Sequence, residues 1–323
     1  MKVLFLVAYI DNYRHMNTFI YSQGEALRKI GIDIEYFFLK GPGFTKYLKG
    51  IFDLNGYIKK HHLDLIHAHY SYNGYVATFQ NQYPVVVSFM GTDLLENPGI
   101  VKKMANRIIN RKIFRRAAKV IVKSIEMKKI IDNELVELLP NGVDTEVFFP
   151  IDKAEARSKL NLTQVKKYIL FAADPQIKVK NYELACRAFN EIRNKDIELL
   201  TVYNKSQEEL NLYFNACNVL LFTSFYEGSP NIIKEAMAAN TPIVAVNVGD
   251  AGDRLSEVVN CYLCTHNHTE LARNILNAIE NQSRSNGRDI LIKQGLDSGN
   301  ISKRLKKIYE AVITENILHR EYK

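Results

Sequence analysis

In Asn218-Val-Leu-Leu-Phe-Thr-Ser-Phe-Tyr-Glu-Gly-Ser-Pro-Asn-Ile-Ile-Lys-Glu-Ala-Met-Ala-Ala-Asn240 an unbroken apolar run meets a sharp turn and then a set of helix formers. Residues 219–222 read as a strand buried on both faces, as in a parallel sheet. Gly228 lets the backbone turn. Ser229 is a good N-cap, and Pro230 suits the first helical position, where no amide hydrogen is needed. Asn240 tolerates a left-handed C-terminal cap, and Thr241-Pro-Ile-Val-Ala-Val246 reads as the next strand. This βαβ unit leaves Glu227 at the carboxyl end of a strand and Glu235 about a turn and a half into the helix. The backbone amides near residues 229 to 232 lie at the positive end of the helix dipole, where anions bind. Ligands of open α/β sheets bind in that crevice.

Outward from this unit, strand-like runs alternate with helical stretches. Residues 3–8, 32–39, 64–69, 85–89 and 119–122 read as strands of a first half. Residues 168–172, 198–202, 219–222 and 243–246 read as strands of a second. A helix over 19–30 ends at Gly31, and another is expected over 302–313. The chain of 323 residues accommodates two domains of ordinary size, and 47% hydrophobic content indicates a globular protein. No apolar run approaches the ~20 residues that span a bilayer. The opening Lys2-Val-Leu-Phe-Leu-Val-Ala-Tyr-Ile10 reads as a buried strand rather than a leader, and the expected compartment is the cytoplasm.

Four cysteines make no framework. Cys261, Cys264, His266 and His268 have zinc-like spacing, but a strand over 258–264 turns the two cysteines to opposite faces. They read as ordinary thiols of a reducing compartment.

The net charge of +8 is uneven, because residues 1–150 hold 20 Lys+Arg against 14 Asp+Glu. Between Lys102 and Lys129 stand 11 basic residues and one acid, Glu126. Val101, Ala105, Ile109, Ile113 and Ala117 recur every four residues, with Lys103, Arg107, Arg111 and Arg115 as a parallel basic ridge. The ridge is either a solvated helix face or a surface for anionic lipid headgroups or a pyrophosphate-linked acceptor. No recognised motif accompanies it for nucleic acid, which is not expected as a partner.

Glu227 and Glu235, with seven residues between them inside Glu-Gly-Ser-Pro-Asn-Ile-Ile-Lys-Glu-Ala-Met-Ala, resemble the signature of retaining nucleotide-sugar glycosyltransferases, above all glycosyltransferase family 4. Pro140-Asn-Gly-Val-Asp-Thr-Glu-Val-Phe-Phe-Pro150 is similar to that family's segment before the second domain. The resemblance implies an α/β protein of GT-B fold, two Rossmann-like doubly wound domains facing across a cleft. The expected division is an acceptor-side domain over 1–149, a donor-side domain over 150–301 and a closing helix over 302–323 that crosses back to the first.

It also implies roles. Glu235 would hold the nucleotide ribose and Glu227 would lie beside the donor sugar. The amides of Gly228, Ser229, Asn231 and Ile232, with Pro230 shaping the turn, would meet the diphosphate or the sugar. Lys180, followed by Asn181, matches the phosphate-binding Lys, and Tyr203 and Asn204 match the loop facing the base. Asp11, Asn12, Arg14, His15, His69, Met90 and Asp93 fall on the acceptor side. His67 and His69 share one face of a strand by their period-two spacing. The family works without a bound metal, and no cofactor is expected. The implied partners are a nucleotide-sugar donor and a glycan or lipid-linked acceptor in glycoconjugate synthesis, with possible peripheral attachment at the inner face of a membrane.

Three departures stand out. Asp174 occupies the place of a phosphate-binding Arg, Met90 that of a first-domain His next to the donor sugar, and Arg14 and His15 that of paired glycines. They keep two alternatives open: a catalytically silent nucleotide-binding partner of another transferase, and a sugar-nucleotide epimerase of the same fold.

Overall fold

The structure, a computed structural model, describes residues 1–8, 18–96, 99–131 and 133–321. It divides into two compact α/β units, Met1–Gly142 with Ser298–Lys323 and Val143–Asp297.

In the first unit six parallel strands, β1 (Lys2–Ala8), β2 (Asp33–Leu39), β3 (Leu65–His69), β4 (Val85–Ser88), β5 (Lys119–Val122) and β6 (Val136–Leu138), lie in the order β2-β1-β3-β4-β5-β6. The second unit has five parallel strands, β7 (Lys167–Phe171), β8 (Ile197–Thr201), β9 (Val219–Phe222), β10 (Ile243–Val246) and β11 (Cys261–Cys264), in the order β11-β10-β9-β7-β8. The apolar runs give this result directly, since β4, β9 and β10 are buried at every residue. Both orders reverse beside the first strand of the unit, between β1 and β3 and between β7 and β9. Each reversal opens a crevice at the carboxyl ends of the strands.

Asn218 sets the register of β9 against β7. Its amide donates to Tyr168 O at 2.8 Å, and its Oδ1 accepts from Tyr168 N at 2.9 Å and from the buried Arg157 Nη2 at 3.0 Å. The stretch 143–149, expected to end the first domain, belongs to the second unit. Arg288 holds it there by donating to Thr145 O and Phe148 O, and Asn211 Oδ1 accepts from Phe149 N. The second sheet stops at β8, and only the helix Tyr182–Glu191 lies between Lys180 and that strand.

The closing helix runs over Ser298–Glu321, longer than its apolar pattern suggested, and clusters with the first unit. Ile301, Leu305, Tyr309 and Val312 form its buried face. Tyr309 Oη meets His67 Nδ1 at 2.6 Å, and His67 Nε2 meets Ser88 Oγ at 2.8 Å. His67 is thereby saturated deep in the core.

Candidate active site

The crevice between β7 and β9 carries the expected donor residues. Lys180 ends a short 3-10 turn after β7, and Glu227 lies within the loop after β9. Lys180 Nζ reaches Glu227 Oε1 at 2.5 Å, so the two side chains meet across the reversal. Asn181 adopts the left-handed conformation (φ 53°), which turns the chain into the helix Tyr182–Glu191. Thr223 Oγ1 donates to the carbonyls of Lys180 and Asn181 at 2.9 and 3.0 Å, and Phe225 N donates to Val179 O at 2.9 Å. These bonds fasten the two loops together. Ser224 Oγ donates to Glu227 Oε1 at 3.2 Å. A cavity of about 50 Å³ opens there, lined by Ala172, Ala173, Lys180, Thr223, Ser224 and Ile232 among others.

The helix after the turn spans Asn231–Ala238. Pro230 is its N-cap residue rather than its first helical residue, with φ −65° and ψ 114°. Ser229 does not cap it, because its hydroxyl donates to Asp250 Oδ2 at 2.8 Å. Pro230 offers no side chain to cap the helix, whose first amides have no intrahelical carbonyl and lie at its positive end, on the side of Lys180. Asn240 ends it at φ 55°, as expected of that residue. Glu235 is half-buried, and burial pushes its carboxyl up to about 7. Tyr203 is exposed and Asn204 is left-handed (φ 54°) in the loop after β8.

The zinc-like group is dispersed. Cys264 is buried while Cys261 lies on the other face of β11. His266 Nε2 lies 3.1 Å from Ser224 O, and its ring stacks on Phe225 at 5.6 Å, which props the turn before Glu227. His268 pairs with Glu191 instead.

In the first unit, a cavity of about 330 Å³ lies where β1 and β3 diverge, lined by Ala8, Tyr47, Tyr72, Asp93, Glu96 and Asn106 among others. Asp93 Oδ2 accepts from Met90 N at 2.8 Å and its Oδ1 accepts from Ser71 Oγ at 3.2 Å. Burial pushes its carboxyl up to about 6. Asp93 therefore fixes the turn that carries Met90 and also lines the cavity. His69 is in the core rather than at this surface. It is fully buried, stacks on His67 at 4.2 Å and meets Gln23 Oε1 at 2.9 Å. Burial holds both imidazoles well below their usual range. Asp11, Asn12, Arg14 and His15 lie outside the described residues. Tyr47, Tyr72 and Asn106 were missed from sequence, where scattered tyrosines give no signal of a shared wall.

The class that this geometry defines is an α/β protein with a Glu–Lys pair at a sheet reversal, beside the N-terminal end of a helix. Residues 16–147 match the profile of Glycosyltransferase Family 4, and residues 200–281 match that of Glycosyl transferases group 1. The chain belongs to these glycosyltransferases. A D-inositol 3-phosphate glycosyltransferase of Nocardioides is 26% identical over 244 residues, which cover 58% of this chain and 53% of that protein. The chain thus spans about half the length of that relative. Among solved structures, sucrose-phosphate synthase from Thermosynechococcus elongatus superposes with a TM-score of 0.75 at 18% identity, covering 100% of this chain and 99% of that one. The Anabaena protein HepE in complex with UDP superposes with a TM-score of 0.74 at 18% identity, covering 96% and 100%. The fold is GT-B.

Proposed function

We propose that the chain is a retaining, metal-independent glycosyltransferase that moves a sugar from a nucleoside-diphosphate donor to a glycan or lipid-linked acceptor. The observation that carries this reading is the Lys180–Glu227 pair at the β7/β9 reversal, set against the positive end of the Asn231–Ala238 helix. Lys180 and the helix amides stabilise the departing diphosphate, which is the main electrostatic demand of the reaction. Glu227 positions the donor sugar. Glu235 accepts from the ribose hydroxyls. The leaving phosphate assists deprotonation of the acceptor hydroxyl on the same face. In the donor-free protein Glu227 neutralises Lys180, and donor binding exchanges that carboxylate for phosphate.

Calorimetric titration with UDP, GDP, ADP and CMP in EDTA tests the donor site. UDP leads the set because the Anabaena neighbour was solved with it. Binding of one nucleotide in EDTA is expected. No binding by any of them overturns the reading. The silent-partner reading is favoured by Asp174, whose carboxylate accepts from Gln176 N and brings no cation to the loop. Transfer or donor hydrolysis by the purified chain excludes it, and an epimerised donor in the absence of acceptor identifies the third reading.

The basic helix supports delivery of the acceptor at an anionic membrane surface. No helix of the described residues is long and apolar enough to cross a membrane. The helix Ile100–Arg116 buries Ile109 and Ile113, while Lys103, Arg107, Arg111 and Arg115 face outward with no salt bridge among the described residues. A second apolar row, Ile100, Met104 and Ile108, is exposed at 81%, 64% and 65%. Cations reach headgroups while such a row enters the acyl boundary. Vesicles of phosphatidylglycerol are expected to bind the protein, phosphatidylcholine vesicles are not, and added salt weakens the binding. Equal binding to both lipids at low salt returns the ridge to a solvated face.

A further inference from the structure

Behind the donor turn lies a buried chain of polar side chains that the proposed reaction leaves unused. Lys234 is fully buried, and its Nζ donates to Ser229 Oγ at 3.0 Å. Ser229 Oγ donates to Asp250 Oδ2 at 2.8 Å, and Arg254 Nε donates to the same oxygen at 2.8 Å. Asp250 is itself 2% exposed. Lys234 and Ser229 flank the start of the Asn231–Ala238 helix, whereas Asp250 and Arg254 belong to the loop after β10 and the helix Ala251–Leu255. The chain of bonds therefore joins two separate loops.

Their backbones also touch. Gly249 has φ +61°, and a Cβ there would lie 2.6 Å from Glu227 O and 2.8 Å from Gly228 O. The loop after β10 is pressed onto the carbonyls of the donor turn, at a distance only glycine permits.

Removing a lysine from water costs several kcal/mol unless it is paired and hydrogen-bonded. An apolar residue would fill the same helix face without that penalty. Being fully buried, Lys234 touches no donor, so its effect passes through Ser229 and Asp250. We propose that Lys234 is a positioning residue, whose ammonium fixes residues 227–230 and 248–250 as one rigid wall of the donor site. This rests on the donor-site reading given above.

The wall is charge-dependent. Among the described residues, the charged groups that act on Lys234 include Asp250, Arg254 and, on its own helix, Glu235. Burial, opposed by Asp250, holds the Lys234 ammonium down to about 8. Below that pH the ammonium is present beneath the diphosphate, and above it the charge is lost. Nucleotide affinity therefore falls on the alkaline side.

The test is calorimetric titration of wild type and Lys234→Met, each from about pH 6 to 9, with whichever of UDP, GDP and ADP the wild type binds most tightly. The wild-type affinity is expected to fall by up to about tenfold per pH unit above about 8. Lys234→Met is expected to bind at least about tenfold more weakly at neutral pH, a loss of about 1.4 kcal/mol, and to lack the alkaline limb. Ser229→Thr keeps the hydroxyl and should keep the limb, and Ser229→Ala should lose it. Wild-type affinity flat through this range overturns the proposal even if Lys234→Met does not fold. So does a folded Lys234→Met with the wild-type profile. No binding by the wild type overturns the donor-site reading together with it.

Discussion

Lys180→Ala is expected to lower turnover by about 10²- to 10³-fold, the loss seen when one preorganised donor to a developing anion is removed. In the proposed reaction the diphosphate leaves as the glycosidic bond breaks, so its charge grows toward the transition state. An interaction that strengthens over that step acts on kcat more than on KM. Asp174 places a carboxylate where a second phosphate cation is expected, which leaves Lys180 with a larger share of the work. The alanine variant also strands Glu227, whose carboxylate then faces the phosphates without the ammonium that sits 2.5 Å from it. For that reason Lys180→Ala combined with Glu227→Gln should lose less than the two single variants together, because both act on one contact. Steady-state kinetics with varied donor separates kcat from KM. Full turnover in Lys180→Ala would move the phosphate contact to another residue.

The parts of this site that sit on long apolar runs were legible in the sequence. Residues 219–222 and 243–246 have no polar residue to confuse them, and β9 and β10 fall at those bounds. Asn240 was legible because few residues tolerate its left-handed φ. Lys180 and Glu227 could each be singled out by motif. Their pairing could not, since 47 residues separate them and only the strand order brings their loops together.

Other features had no one-dimensional signal. Ser229 reads as an N-cap from local propensity, but a long-range acceptor, Asp250, takes its hydroxyl. Lys234 reads as a solvated helix lysine until its face is known. The strand β6 is three residues long with Glu137 in its middle, too short for any period. The basic helix is a mixed case. Ile109, Ile113 and Ala117 of the row named by its spacing are buried, whereas Ile100, Met104 and Ile108, at the same spacing, form an exposed apolar row that periodicity does not set apart.

Glu235→Ala is expected to weaken nucleotide binding by about 10- to 100-fold, corresponding to the roughly 1.5–3 kcal/mol of hydrogen bonds to a charged group. Its pH dependence makes the assignment specific. Burial raises the carboxyl to about 7, so the free protein holds Glu235 largely protonated below that pH. Ribose hydroxyls donate to the carboxylate, which accepts from both, whereas the neutral acid keeps a proton that competes with them. Affinity should therefore rise with pH up to about 7, and Glu235→Gln should flatten that acid limb while leaving the alkaline limb near 8 in place. Lys234→Met should do the reverse. The two residues are adjacent in sequence but present different faces of the helix, one half-buried and the other fully buried. A merely structural loss in either variant would lower both limbs together. Unchanged affinity in Glu235→Ala, measured by the same titration, would remove the ribose from this helix and leave its pH response to burial alone.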